Sequence, residues 1–133
     1  MDYKQGVKWL TRPKEIDRQI KEEGYIIEGL YTSIGLQGIS YDKVSVISSP
    51  ENKFERIFAE IDEHKKKVEK LMNIRIKLIH EISARIEALG ECPERTILYG
   101  FYVGGVEMEK IAKDLEYDLS WCYRLRRKGI KKL

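Results

Sequence analysis

The sequence predicts an all-α protein, and three observations carry that expectation. Apolar residues recur every three or four positions along most of the 133-residue chain, the period of a helix with one buried face. All three prolines, Pro13, Pro50 and Pro93, stand where a helix could begin, and proline is tolerated in a first helical turn because its missing N–H has no partner there anyway. Between Pro50 and Leu89 there is neither a further proline nor a glycine, which leaves room for one very long helix.

The elements follow in order. Val7, Trp9 and Leu10 fit a short leading turn. Residues 13–34 carry Ile16, Ile20, Ile27, Leu30, Tyr31 and Ile34 near helical spacing, although Gly24 and Gly29 each weaken that helix by roughly 1 kcal/mol against alanine. The stretch GLQGISYDKVSVISS reads as a loop, with a short extended piece at Val44–Ile47. Ser49 is suited to cap the next helix, with Pro50 at its first position and Glu51 complementing its positive end. From there Phe54, Ile57, Ile61, Val68, Leu71, Leu78, Ile82 and Leu89 follow a heptad, and a helix of about 40 residues would reach about 60 Å. His64, Arg75 and Arg85 interrupt the seam, so it is no ideal zipper. Gly90 suits the end of this helix. Pro93 starts another with Ile97, Leu98, Phe101 and Tyr102 on its apolar side, and Gly104-Gly105 stops it. VEMEKIAKDL turns Met108, Ile111, Ala112 and Leu115 to one side. Glu116-Tyr117 is a turn, and Asp118 is placed to cap the last helix.

Charge is distributed unevenly. The net charge is only +3, yet residues 119–133 carry six basic residues and no acid, whereas residues 106–118 carry five acids against Lys110 and Lys113. Such a segment suits a polyanionic partner. Two short helices joined by a tight turn, the second strongly basic, are the helix-turn-helix pattern. At 100° per residue, Cys122, Leu125, Gly129 and Leu133 fall on the side that would dock. Ser120, Arg124, Arg127 and Lys131 fall opposite, flanked by Tyr123 and Lys128. Trp121 lies at the seam, and Arg126 lies nearer the docked side, from which it could reach a phosphate or an acid of the preceding helix. The DNA-binding candidates are therefore Ser120, Tyr123, Arg124, Arg127, Lys128 and Lys131, with Arg124 and Arg127 able to meet guanine edges or phosphates. The competing reading is a solvated basic helix that closes a bundle.

The segment GGVEMEKIAKDLEYDLSWCYRLRRKGIKKL resembles region 4 of sigma factors, in the variant found in RinA/ArpU-type phage late-gene transcription activators. Tyr102, Ile111-Ala112, Trp121, Tyr123, Arg124 and Leu125 carry the resemblance, and Ser48-Ser49-Pro50 with the long charged helix extend it more loosely. Asp118 stands where that family has serine and Gly129 where it has alanine, which should soften the last turn. Glu107 is a poor cap for the first motif helix. The resemblance implies a phage or prophage transcriptional regulator that binds double-stranded promoter DNA, with RNA polymerase as a further partner.

Other chemistry finds little support. Carboxylates on residues 51–87 alternate with lysines, as on a solvated helix. His64 and His80 stand apart, and Cys92 and Cys122 form no metal-binding or disulfide pattern. Neither an enzyme, a cofactor nor a metal site is expected. No apolar run approaches the ~20 residues of a membrane span, and a cytoplasmic location in a bacterial host is expected. The expected organisation is a helical hairpin or coiled-coil domain over 1-90 and a helix-turn-helix domain over 91-133. A homodimer would form through the long helix, along Ile57, Ile61, Val68, Leu71 and Leu78. Two rivals remain beside DNA-binding regulation: a module that acts mainly by binding RNA polymerase, and a DNA-packaging protein of the phage small-terminase kind.

Overall fold

The computed structural model describes residues 1–39 and 50–133. Every element of the described residues is helical: α1 (Tyr3–Leu10), α2 (Arg12–Ile39), α3 (Pro50–Glu87), α4 (Pro93–Leu98), a π-helical turn (Tyr99–Val103), α5 (Met108–Leu115) and α6 (Leu119–Lys132). The all-α expectation holds. No helix among the described residues is long and apolar enough to cross a membrane.

Several boundaries differ from the sequence reading, each for a local reason. The leading turn is a true helix, α1. Thr11 separates it from α2, its hydroxyl and its N–H both bonded to the Val7 carbonyl oxygen at 2.8 and 3.0 Å. The α2 backbone continues through Gly35 to Ile39, past the expected loop start, because a glycine lowers helix stability without forbidding the helix. The expected extended piece at Val44–Ile47 and the Ser49 cap lie outside the described residues. The long helix stops at Glu87, three residues before Gly90, whose φ of +78° makes the turn. Residues 99–103 widen into a π turn that periodicity did not announce. It ends at Gly104 and Gly105.

The chain divides into two compact units, Met1–Glu15 with Arg75–Leu133, and Ile16–Ile74. That division does not fall at residue 90. The last turns of α3 and the first fifteen residues belong with the C-terminal helices, and the contents of the core show why.

The first unit holds two apolar clusters. Leu10, Ile82, Ile86, Leu98, Ile130 and Leu133 form one, covered by Tyr3, Val7, Trp9 and Tyr99. Ile97, Met108, Ile111, Ala112, Cys122 and Leu125 form the other, flanked by Phe101, Val106 and Leu115. Helix α4 feeds both clusters, Leu98 to one and Ile97 to the other, so it is the spine of the unit. Two glycines allow close approach. A Cβ on Gly6 would collide with the Ile130 side chain, and one on Gly129 would lie 3.0 Å from both the Glu94 Cβ and the Leu98 Cδ1.

In the second unit Ile61 is the one fully buried apolar side chain among the described residues. Its α2 and α3 segments are tied by polar contacts. The His64 imidazole Nδ1 meets the Glu23 carboxylate, and the Lys65 ammonium donates to the Tyr31 hydroxyl at 3.2 Å. His64 is therefore a partly buried histidine with a carboxylate partner.

Candidate nucleic-acid interface

The basic segment becomes a shaped surface through α5 and the turn that follows it. Met108, Ile111 and Ala112 are buried, and Ala112 shares its cluster with Cys122 and Leu125 of α6. A methyl group at that position lets the two helices come together. Helix α5 then ends in paired reverse hydrogen bonds, Tyr117 N–H to the Ala112 carbonyl oxygen at 2.9 Å and Glu116 N–H to Lys113 at 3.2 Å. This is a Schellman closure. Its left-handed position is taken by Glu116, at φ 57°, where glycine is the usual residue.

Asp118 opens α6 with an extended backbone, and its carbonyl oxygen accepts the Cys122 N–H at 3.1 Å. The expected carboxylate cap is not made, since the Asp118 side chain forms no capping bond. Asp118 acts instead on Cys122: burial chiefly, and the carboxylate in addition, push the thiol above its ordinary pKa. Glu107 likewise makes no side-chain capping bond to α5.

The two sides of α6 are distinct. Cys122, Leu125, Gly129, Ile130 and Leu133 are buried, while Ser120, Tyr123, Arg124, Arg127, Lys128 and Lys131 are all exposed. Ile130 is the addition to the docked side. It is fully covered because α1 lies against α6 at Gly6, a contact that a wheel of α6 alone could not show. The amino group of Met1 donates to the Lys131 and Leu133 carbonyl oxygens at 3.3 and 3.0 Å, also at this end of α6.

The exposed cations differ in their surroundings. The Arg124 guanidinium carbon lies 5.9 Å from the Trp121 ring centre. Arg127 stacks at 4.6 Å over Tyr3 of α1. Arg126 is half-buried, and its Nε is covered without a hydrogen-bond partner. It sits between Phe101 at 4.9 Å and Tyr123 at 5.1 Å, an arrangement in which ring faces replace part of the cation's hydration. Its charge opposes the rise that burial imposes on the Tyr102 phenol.

Lys128 stands 3.9 Å and Lys132 3.2 Å from a carboxylate oxygen of Glu94. Glu94 is the one buried charged residue of the described chain, 4% exposed. Its own backbone N–H at the start of α4 chiefly holds its pKa below the ordinary value. Lys132 and the Cys92 thiol add to that effect and burial opposes it. Sequence reasoning missed Glu94. The available signals were its place just after Pro93 and a glycine, Gly129, on the docked side of a basic helix. Lys128 is accordingly a lysine shared with an internal acid, while Arg124, Arg127 and Lys131 form the outward stripe.

Comparison of the chain with protein-family models, curated proteins and solved structures returned no match.

Proposed function

We propose that this chain is a sequence-specific double-stranded-DNA-binding transcriptional regulator of phage or prophage type, in which α5 and α6 act as a helix-turn-helix and α6 enters the major groove. The observation that carries this reading is the division of α6 into a buried apolar side and an exposed side bearing Ser120, Tyr123, Arg124, Arg127 and Lys131. A helix docked along one side by three neighbours, α1, α4 and α5, and basic along the other has the form a major groove accepts. Arg124 lies in the N-terminal half of α6, the half that reaches base edges, Arg127 follows one turn on, and Lys131 lies where phosphates run.

A salt titration tests it on two duplexes, one selected from a randomised pool and one scrambled. Arg124→Ala should cost about 1 to 3 kcal/mol on the selected duplex and relax preference at one position. Lys131→Ala should weaken both duplexes alike and lower the salt slope by about one unit. Both residues are exposed, so both variants should stay folded. An Arg124→Ala variant that binds both duplexes as the wild type does returns α6 to the role of a solvated helix.

Self-association belongs to the same reading, because the unit 16–74 leaves Tyr25, Ile26, Tyr31, Phe58, Met72 and Ile74 exposed. In this reading α2 and α3 form an antiparallel hairpin that packs against a second copy. The surface differs from the heptad expected above: Ile61 is already buried, and Phe58 and Met72 on its flank are open. Sedimentation at tens of micromolar, a range in which weak helical pairs associate, should give a dimer. A monomer rules the pairing out, and ring-sized oligomers would favour the packaging role.

A further inference from the structure

In the unit formed by 1–15 and 75–133, the exposed large apolar side chains are Ile76, Tyr117, Leu119, Trp121 and Tyr123. Four of these five stand within seven residues, at the turn and the first two turns of α6. The C-terminal half of the same helix exposes Arg127 and three lysines. Trp121 is 43% exposed and Leu119 38%, in a unit that buries twelve apolar side chains among the described residues. Scattered apolar exposure is ordinary, but a concentrated patch marks a contact surface.

The placement of these side chains says what the surface meets. On the α6 wheel Ser120 and Arg124 form the central outward line. Leu119 and Tyr123, one turn apart, flank it on one side, and Trp121 flanks it on the other. The Arg124 guanidinium lies 5.9 Å from the Trp121 ring, and Arg126 lies 5.1 Å from the Tyr123 ring. Cations thus hold both aromatic groups beside a hydrogen-bonding line. In a major groove, hydrogen-bonding base edges alternate with one apolar feature, the thymine C5 methyl group. The Arg127 and Lys131 charges on the same helix suit the polyanion that carries it.

We propose that Leu119 and Trp121 are specificity-determining residues that read thymine C5 methyl groups on either side of the base edge met by Arg124. The inference rests on the DNA-binding reading and deepens it, from a basic helix that binds DNA to one that selects thymine by apolar contact.

The test uses the full chain and duplexes selected from a randomised pool. Each thymine of an enriched duplex is replaced singly by deoxyuridine, which removes the methyl group and leaves every hydrogen-bonding edge intact. One or two positions should weaken wild-type binding about fourfold, the factor matching the loss of one buried methyl-sized group. The Leu119→Ala/Trp121→Ala double variant should bind thymine and deoxyuridine duplexes alike, and a helical far-ultraviolet spectrum at the assay temperature should show it folded. A wild type that still selects a sequence but tolerates deoxyuridine everywhere overturns the methyl readout and leaves DNA binding standing. It would assign the patch to a protein partner. A methyl penalty that persists in the double variant overturns the assignment to these two residues. A pool that yields no enriched sequence overturns the DNA-binding reading itself, and the inference with it.

Discussion

The two compact units, both rich in apolar residues, treat them in opposite ways. Residues 1–15 and 75–133 hold twelve of the thirteen buried apolar side chains among the described residues, and residues 16–74 hold one, Ile61. The difference is architectural. In the first unit, short helices meet from several directions, so α4 and α6 each bury one broad face that several neighbours share. In the second, two long helical segments touch through His64–Glu23 and Lys65–Tyr31, and a helix with a single neighbour covers only a narrow stripe. Helix length and local pairs such as Arg18–Glu22, at 2.9 Å, supply part of the stability there. A packed unit holds its surface in fixed shape, and a lightly packed one leaves apolar side chains such as Phe58 and Met72 exposed.

Core truncation should show this contrast most strongly. Leu125 is 3% exposed, within the cluster that joins α5 to α6, and Phe58 is 50% exposed. Leu125→Ala should cost about 2 to 5 kcal/mol. Phe58→Ala should stay within about 0.5 kcal/mol at protein concentrations where the chain is monomeric. Denaturant unfolding of both variants measures the gap. Equal costs would mean that the lightly packed unit contributes a core of its own.

Glycines sharpen the same contrast with opposite signs. Gly24 has open space where a Cβ would go, so Gly24→Ala should stabilise by about 0.4 to 1 kcal/mol. Gly129 is also helical and would gain the same propensity. Its Cβ, however, would lie 3.0 Å from the Glu94 Cβ, an atom fixed to the α4 backbone that cannot swing aside. Overpacking of this kind costs about 1 to 3 kcal/mol, so Gly129→Ala should be destabilising on balance. Thermal melts of the two variants should move in opposite directions. The sequence reading took Gly129 for a softened last turn, whereas the structure gives it a packing role.

What was legible in the sequence was local. The helical class, the start of α3 at Pro50, the stop at Gly104-Gly105, and the division of α6 into docked and outward sides all follow from spacing and turn chemistry. Those signals live within one element. Contacts between elements far apart in sequence were not legible. Nothing in YKQGVKWL says that Gly6 will meet Ile130, so Ile130 was left off the docked side and the boundary was drawn at residue 90. Glu94 was hidden for the same reason: its burial depends on α6 lying across α4. Of the candidate interface, the exposure of its residues could be read from the wheel. The aromatic and acidic partners of Arg126, Arg127 and Lys128 could not, because they come from the π turn, α1 and α4.

The smallest effect expected concerns that buried acid. The Glu94 carboxylate is nearly closed to solvent, but its partners Lys132 and Lys128 remain 45% and 65% exposed, so solvent screening keeps the ionic gain modest. Its pKa is lowered in the folded state from the ordinary 4.5. A carboxylate with a depressed folded pKa contributes stability that is fully present above the unfolded value and is lost as pH falls through the folded one. Glu94→Gln keeps the shape and removes the charge. The variant should therefore melt slightly below the wild type at pH 7, and the gap should narrow as pH falls below 4.5. The effect belongs to the unit that joins α4 to α6, so a near-ultraviolet signal from Trp121 on α6 should follow it. A gap that stays constant with pH would mean that Glu94 acts through packing alone, with its charge contributing nothing to the hold of α4 on α6.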